Sequence, residues 1–328
     1  MLKVGVVGVG HLGKHHARVF TQIEGCQLVG VYDKVYDRAK EIANLYQVKA
    51  FENYDEMLSE VSAVDIAATT TWHYDLAKPA LMKGCHVFLE KPITSEISQA
   101  EELLKIAKEK NLFIQVGHIE RFNPVIIKVE DEIQNPMFIE SHRLAPFNPR
   151  GSDVPVVLDL MIHDIDLILS FVKSEISDIR ASGVGILTPS IDIANARLEF
   201  ENGAIANVTA SRISMKRERK IRFFQKDAYL SLDFQDKKVS ILRKSENINK
   251  ILPQILMGNT NFDPQDLVDM KEINADDITK DALTMELESF VSSINENKNP
   301  IVDGEAGTKA LRIAMEIMDK IKRKSLLL

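Results

Sequence analysis

Residues 2–13, LKVGVVGVGHLG, decide the architecture. The valine-rich run Leu2–Val7 is a strand candidate. It is followed at once by Gly8-Val9-Gly10-His11-Leu12-Gly13 and then by a helical stretch near residues 12–23. In a strand–turn–helix unit each glycine has its own task. Gly8 permits the tight turn, Gly10 lets a pyrophosphate approach the backbone, and Gly13 lets the helix pack closely on the strand. The helix start adds unpaired N–H groups and a dipole that favours anions. Gly8, Gly10, His11, Leu12 and Gly13 are therefore cofactor-binding candidates. Asp33 stands twenty positions past Gly13, at the end of the second strand candidate. A carboxylate there accepts hydrogen bonds from ribose hydroxyls and repels a 2′-phosphate, which favours NAD over NADP. Lys34 and Arg38 lie nearby and would tolerate a phosphate.

The same alternation continues outward from this unit. Strand candidates lie at residues 2–7, 27–32, 49–51, 64–68, 86–89 and 113–116, with helical stretches near 12–23, 36–46, 53–60, 73–83 and 95–110. Near-continuous apolar strands are buried on both faces, so residues 1–121 predict an α/β domain with a doubly wound parallel sheet of the Rossmann type. Residues 122–328 predict a second, α+β domain. A helix near 123–133 and a strand at 137–144 precede a Pro/Gly-rich loop over 146–155, and an apolar helix covers 157–172. Asn202-Gly203 between two alternating runs signals a hairpin, and further strands fit 221–225, 229–234 and 239–242. Consecutive strands joined by short turns make a large, mainly antiparallel, open-faced sheet. The polar stretch 253–280 reads as a long loop. Helices near 281–296 and 305–323 close the chain, the latter a candidate to pack back on the first domain. The mixed charges of Lys216-Arg217-Glu218-Arg219-Lys220 suit a solvated edge strand.

The 328 residues carry a formal net charge of −7, which argues against bulk electrostatic binding to nucleic acid or an anionic membrane. No apolar run approaches the roughly 18 to 20 residues needed to span a bilayer. The first apolar stretch runs into the glycine turn instead of a cleavage site, so a secretion signal is not expected. Cys26 and Cys85 make neither a metal spacing nor a disulfide framework, which predicts a reduced, cytoplasmic setting.

Two constellations carry chemistry. Glu90-Lys91-Pro92 directly follows the fifth strand, and ligands bind in the crevice at strand C-termini. A lysine there can hydrogen-bond a substrate hydroxyl and stabilise a developing oxyanion, although on spacing alone it is equally an ordinary surface lysine. The helix over 157–172, VLDLMIHDIDLILSFV, carries one polar stripe of Asp159, His163, Asp166 and Ser170. Asp159 and His163 are one turn apart, and a histidine titrating near neutrality suits proton transfer from an alcohol. The plain alternative is a histidine satisfied by its aspartate at a domain interface. Thr69-Thr70-Thr71-Trp72-His73 and Gln115–Pro124 also fall at strand ends on the cofactor side. His15 and His16 read as solvated helix positions.

Taken together in this order, GVGHLG, Asp33, TTTWH, EKP and DLMIHDID resemble the Gfo/Idh/MocA family, the glucose-fructose oxidoreductase and inositol dehydrogenase group. The resemblance spans essentially the whole chain. It implies NAD-dependent oxidation of a sugar, cyclitol or sugar-nucleotide hydroxyl, or reduction of the ketone. Lys91 and the pair Asp159 and His163 match the family's catalytic groups. Thr69, Thr70, His73, Glu90 and Lys91 are the remaining cofactor-side candidates, and His118, Arg121 and Asn123 join the catalytic set as substrate-contact candidates. Thr70 stands where the family often has proline. QVGHIERFNP and RKIRFFQKDAYLSLDF further resemble the branch of UDP-N-acetylglucosamine 3-dehydrogenases, which implies a UDP-sugar oxidised at its 3-hydroxyl. The alternatives are a free sugar or inositol substrate, NAD-dependent glycoside cleavage, and a non-catalytic NAD-binding regulator. No metal is required for this chemistry. The resemblance also implies a homodimer or homotetramer formed through the C-terminal sheet.

Overall fold

A computed structural model describes residues 1–149, 154–258 and 267–325. Two compact units emerge. The first is Met1–Phe122 with Lys280–Ile313, and the second is Asn123–Thr279 with the chain from Ala314 onward. The chain passes between the units after Phe122, Thr279 and Ile313, so residues 280–313 belong to the first unit.

In the first unit the strands are β1 (Leu2–Val7), β2 (Cys26–Tyr32), β3 (Lys49–Phe51), β4 (Ala63–Ile66), β5 (His86–Glu90) and β6 (Ile114–Gly117). They form a parallel sheet of order β3-β2-β1-β4-β5-β6. The order reverses between β1 and β4, and that switch point is where a doubly wound sheet opens a crevice at its strand C-termini. Helices α1 (Gly13–Phe20), α2 (Tyr36–Tyr46), α3 (Tyr54–Glu60), α4 (His73–Met82) and α5 (Ile97–Lys110) connect the strands. Val4, Val6, Val31, Val64, Val87 and Leu89 are fully buried, as expected for strands covered on both faces.

The second unit is built on an eight-stranded sheet. Its strands are β7 (Phe138–Leu144), β8 (Ile176–Val184), β9 (Ile193–Phe200), β10 (Ile205–Ser211), β11 (Glu218–Phe224), β12 (Ala228–Asp233), β13 (Lys238–Lys244) and β14 (Val268–Asn274). The order is β14-β13-β12-β11-β7-β10-β9-β8, antiparallel except where β10 pairs with β7. Asn202-Gly203 makes the expected hairpin between β9 and β10, with Gly203 at φ +84. One face buries Ile139, Leu198, Val208, Ile221, Phe223 and Leu230. The alternate positions carry half-buried ion pairs, Arg222–Glu140 at 3.6 Å and Lys220–Asp233 at 3.0 Å. A short helix, α6 (Pro124–Val129), precedes the sheet, and α7 (Ile162–Phe171) packs on its apolar face.

Three sequence expectations need correction. The helix over 157–172 is a π-helical turn at Val157–Met161 followed by α7. The loop assigned to 253–280 overlaps α8 (Ile248–Leu256) and contains the whole of β14, while its residues 259–266 lie outside the described part. Residues 218–220 belong to β11, which lies between β12 and β7 and is no edge strand. β8 was not anticipated. The loop over 146–155 falls partly on residues 150–153, outside the described part. Two long helices, α9 (Ala282–Asn295) and α10 (Gly304–Ser325), follow. No helix among the described residues is long and apolar enough to cross a membrane.

Candidate active site

The β1–α1 turn has the three glycine environments that a dinucleotide diphosphate requires. Gly8 sits at φ +85, and a Cβ there would meet the Ala68 backbone at 2.8 Å. A Cβ on Gly13 would come within 2.1 Å of the Gly8 carbonyl oxygen, so helix and turn pack backbone to backbone. At Gly10 a Cβ would meet nothing within 4 Å. That open space beside a helix start fits an incoming phosphate, and His11 and Leu12 stand exposed next to it.

Asp33, directly after β2, is nearly buried. Its Oδ1 accepts the Val35 N–H at 2.9 Å, and the half-exposed Arg38 guanidinium donates to Oδ1 at 3.2 Å and Oδ2 at 3.3 Å. The carboxylate can still accept from a ribose, but Arg38 offsets part of its repulsion toward a phosphate. Lys34 Nζ lies 4.8 Å from the Trp72 ring centroid, joining the end of β2 to the turn after β4. Thr69 is exposed and Thr70 half-buried in that turn.

His73 is fully buried, with Nδ1 2.9 Å from the Pro92 carbonyl oxygen and Nε2 3.1 Å from that of Ala68. It therefore knits the turn after β4 to the segment after β5, and burial pulls its pKa below the usual imidazole value. Lys91, half-buried, begins that segment and is joined to Pro92 by a cis peptide bond. Its backbone N–H donates to Glu90 Oε2 at 3.1 Å. Glu90 Oε1 in turn lies 3.3 Å from His16 Nε2, and His16 Nδ1 lies 2.7 Å from Asp65 Oδ2.

His16 is thus buried between two carboxylates, contrary to the solvated position expected for it. The signal was available, because Gly13, Ala17 and Phe20 mark the inward face of α1 and position 16 lies on that face. Asp65 is central in β4, where a carboxylate gives no periodic signal.

At the end of β6, His118 is fully buried and Arg121 half-buried. Asn123 caps α6, its Oδ1 accepting the Val125 N–H at 3.1 Å. In the second unit, Asp159 sits in the π-helical turn and the half-buried His163 near the start of α7. π-helical turns inside helices occur frequently at functional sites. Two arginines that sequence reasoning did not single out support this helix. Arg143 of β7 makes a buried bidentate pair with Asp164, with its Nη2 at 2.7 Å from Oδ1. Arg212, after β10, donates to the Val154 carbonyl oxygen and lies 3.8 Å from the Asp159 carboxylate.

A glycine-lined turn at the switch point of a parallel sheet, with a lysine at a nearby strand end, fits the class of dinucleotide-dependent oxidoreductases. The family model described as "Oxidoreductase family, NAD-binding Rossmann fold" matches residues 2–118, and the GFO/IDH/MocA C-terminal domain matches residues 139–230. The chain belongs to the Gfo/Idh/MocA oxidoreductase family, whose cofactor is NAD. It is 35% identical over 317 residues to UDP-N-acetylglucosamine 3-dehydrogenase of Acidithiobacillus ferrooxidans, covering 96% of each chain. The solved structure of that enzyme superposes with a TM-score of 0.88, covering 98% of each chain. The scyllo-inositol 2-dehydrogenase (NAD(+)) of Bacillus subtilis is 28% identical, covering 65% of this chain and 68% of that one. A scyllo-inositol dehydrogenase of Lactobacillus casei, solved with NAD(H) and scyllo-inositol, shares the fold at a TM-score of 0.78 and 22% identity, covering 99% of this chain and 98% of that one.

Proposed function

We propose that the chain oxidises the 3-hydroxyl of a UDP-N-acetylhexosamine to the ketone, with NAD as cofactor. The observation that carries this reading is the near full-length likeness to UDP-N-acetylglucosamine 3-dehydrogenase. Gly8, Gly10, His11, Leu12 and Gly13 would hold the diphosphate, and Asp33 the adenosine ribose. Thr69, Thr70, Glu90 and Lys91 would border the cofactor, with His73 supporting from beneath. NAD, when bound, supplies the acceptor for the hydrogen and electron pair that leave the substrate carbon. The protein has to manage one proton and the position of one oxygen. Lys91 is assigned to that oxygen, where an ammonium stabilises charge as the O–H bond opens. His163 takes the proton, and Asp159, held near Arg212, orients the imidazole. Arg121 is assigned to substrate contact. His118 and Asn123 are assigned with it, the one buried at the end of β6 and the other capping α6. The cysteines are free and buried, which fits the cytoplasm as the setting. The sheet face bearing the Arg222–Glu140 and Lys220–Asp233 pairs is assigned to contacts in a homodimer or homotetramer.

The test is a screen of the protein with NAD against UDP-sugars, free sugars and inositols, following the absorbance of the reduced nicotinamide. Turnover of UDP-N-acetylglucosamine is expected. A response confined to free cyclitols would replace the nucleotide-sugar assignment with the inositol reading, which the likeness to scyllo-inositol 2-dehydrogenase supports. In the responding assay, His163→Ala should lower kcat by about 10²-fold or more, the usual share of a general base.

A further inference from the structure

We propose that His16, bridging Asp65 and Glu90 inside the first unit, is a positioning residue for Lys91. This rests on the assignment of Lys91 to the substrate oxygen. Three secondary-structure elements supply the chain of contacts. Asp65 of β4 is fully buried and offers Oδ2 to His16 Nδ1 at 2.7 Å, and His16 Nε2 meets Glu90 Oε1 at 3.3 Å. Glu90 Oε2 then accepts the backbone N–H of Lys91 at 3.1 Å. One carboxylate oxygen is fixed from below while the other holds the residue that carries the amine. β6 closes the remaining side, since a Cβ on Gly117 would stand 3.0 Å from Glu90 Oε2. The Phe88 ring walls His16 edge-on at 5.8 Å.

The fold alone does not call for this arrangement. Burying an imidazole and two carboxylates carries a desolvation cost, and apolar side chains of similar volume commonly serve stability as well or better. What an apolar set cannot do is orient Glu90. Moreover, His16 belongs to α1, the helix whose start forms the glycine turn, so one imidazole ties the diphosphate helix to the strand that presents the lysine. The charged groups on its own helix, Lys14, His15 and Arg18, are exposed, leaving Asp65 and Glu90 as the ionic groups on its two nitrogens.

The experiment compares His16→Phe, His16→Gln and Glu90→Gln with the unaltered protein, using UDP-N-acetylglucosamine and NAD. His16→Phe should lower kcat by about 10- to 100-fold, the scale known for losing the outer hydrogen-bond partner of a metal ligand and taken here for an amine held the same way. KM for the sugar nucleotide and Kd for NAD should stay nearly constant. His16→Gln, whose amide can donate to one carboxylate, should recover part of the loss. A second readout needs no turnover. Acylation of the Lys91 amine, followed by mass spectrometry without added NAD, should change rate in His16→Phe while the remote Lys105 does not. Unchanged kcat and unchanged Lys91 acylation in His16→Phe would overturn the proposal. So would parallel loss of kcat, NAD affinity and melting temperature with no rescue by glutamine. If His16→Phe does not fold, Glu90→Gln carries the same test, because it keeps an oxygen for the Lys91 N–H and loses the charge facing His16. Lys91→Ala separates the two ideas. Full turnover in Lys91→Ala removes the lysine's role itself, whereas a dead Lys91→Ala beside a fully active His16→Phe removes only the positioning.

Discussion

At the scale of single residues, the central group is His16. Desolvation pulls its pKa down, but the charges and hydrogen bonds of Asp65 and Glu90 outweigh it and raise the imidazole well above 6.5. Burial pushes Asp65 up, and it too resists losing a proton, with His16 opposing. Glu90 is also desolvated, yet His16 and Lys91 hold it below its ordinary value. The upward direction for His16 governs, because carboxylates face both of its ring nitrogens. A raised folded value means that the pairing stabilises the fold fully below about pH 6.5 and loses that contribution as pH rises through the folded pKa. Glu90 acts in the opposite window, its contribution being lost as pH falls through its lowered value. In a proton NMR titration the His16 ring resonances should therefore remain those of an imidazolium through neutral pH. A midpoint at or below 6.5 would remove the bridging charge. By contrast the exposed His15 is held below 6.5, with slight desolvation first and Lys14 next among the causes.

At the scale of elements, the glycine turn separates a binding effect from a folding effect. Gly10→Ala meets no atom within 4 Å, so its melting temperature should match the unaltered protein while the NAD dissociation constant rises. Gly13→Ala drives a Cβ against the Gly8 carbonyl and should lower both stability and binding. Equal thermal shifts in the two variants would mean that the open space at Gly10 is not a ligand's. The same turn was legible in the sequence because its strand, glycines and helix are local. Asn202-Gly203 was legible for the same reason. What escaped notice sits at the two edges of the large sheet. β14 exposes nearly every residue and exists through its pairing with β13, and β8 fully buries only Ile179. An edge strand made by backbone pairing leaves little hydrophobic alternation to read. α8 was hidden by Pro253 inside it. The π-helical turn at Val157–Met161 was invisible for a different reason, since an apolar run shows no change of period over five residues.

At the scale of the whole molecule, the two fold classes followed from the sequence because alternating and consecutive strand patterns differ plainly. A return of the helix near 305–323 to the first domain was expected; that of α9 was not, because α9 is amphipathic in an ordinary way and nothing in it names the sheet it covers. Its Leu287, Phe290 and Val291 join Phe20, Phe88 and Val4 in one buried cluster, with Phe290 edge-on to Phe88 at 5.8 Å. Phe290→Ala should cost about 3–5 kcal/mol, the usual penalty for removing a buried aromatic side chain, read from denaturant unfolding. A loss under about 0.5 kcal/mol, within the range of surface substitutions, would show that the first unit does not depend on α9. Gln115 makes the same connection in polar form, its Nε2 donating to the Glu286 carbonyl oxygen at 2.9 Å. That late contribution has a consequence during synthesis. When the ribosome has released the first 122 residues, the patch around Phe20 and Phe88 still lacks its cover, which is encoded beyond residue 280. Until residues 282–291 have been made, the Rossmann segment keeps that apolar patch uncovered, the kind of transiently exposed surface from which chaperones shield a folding chain.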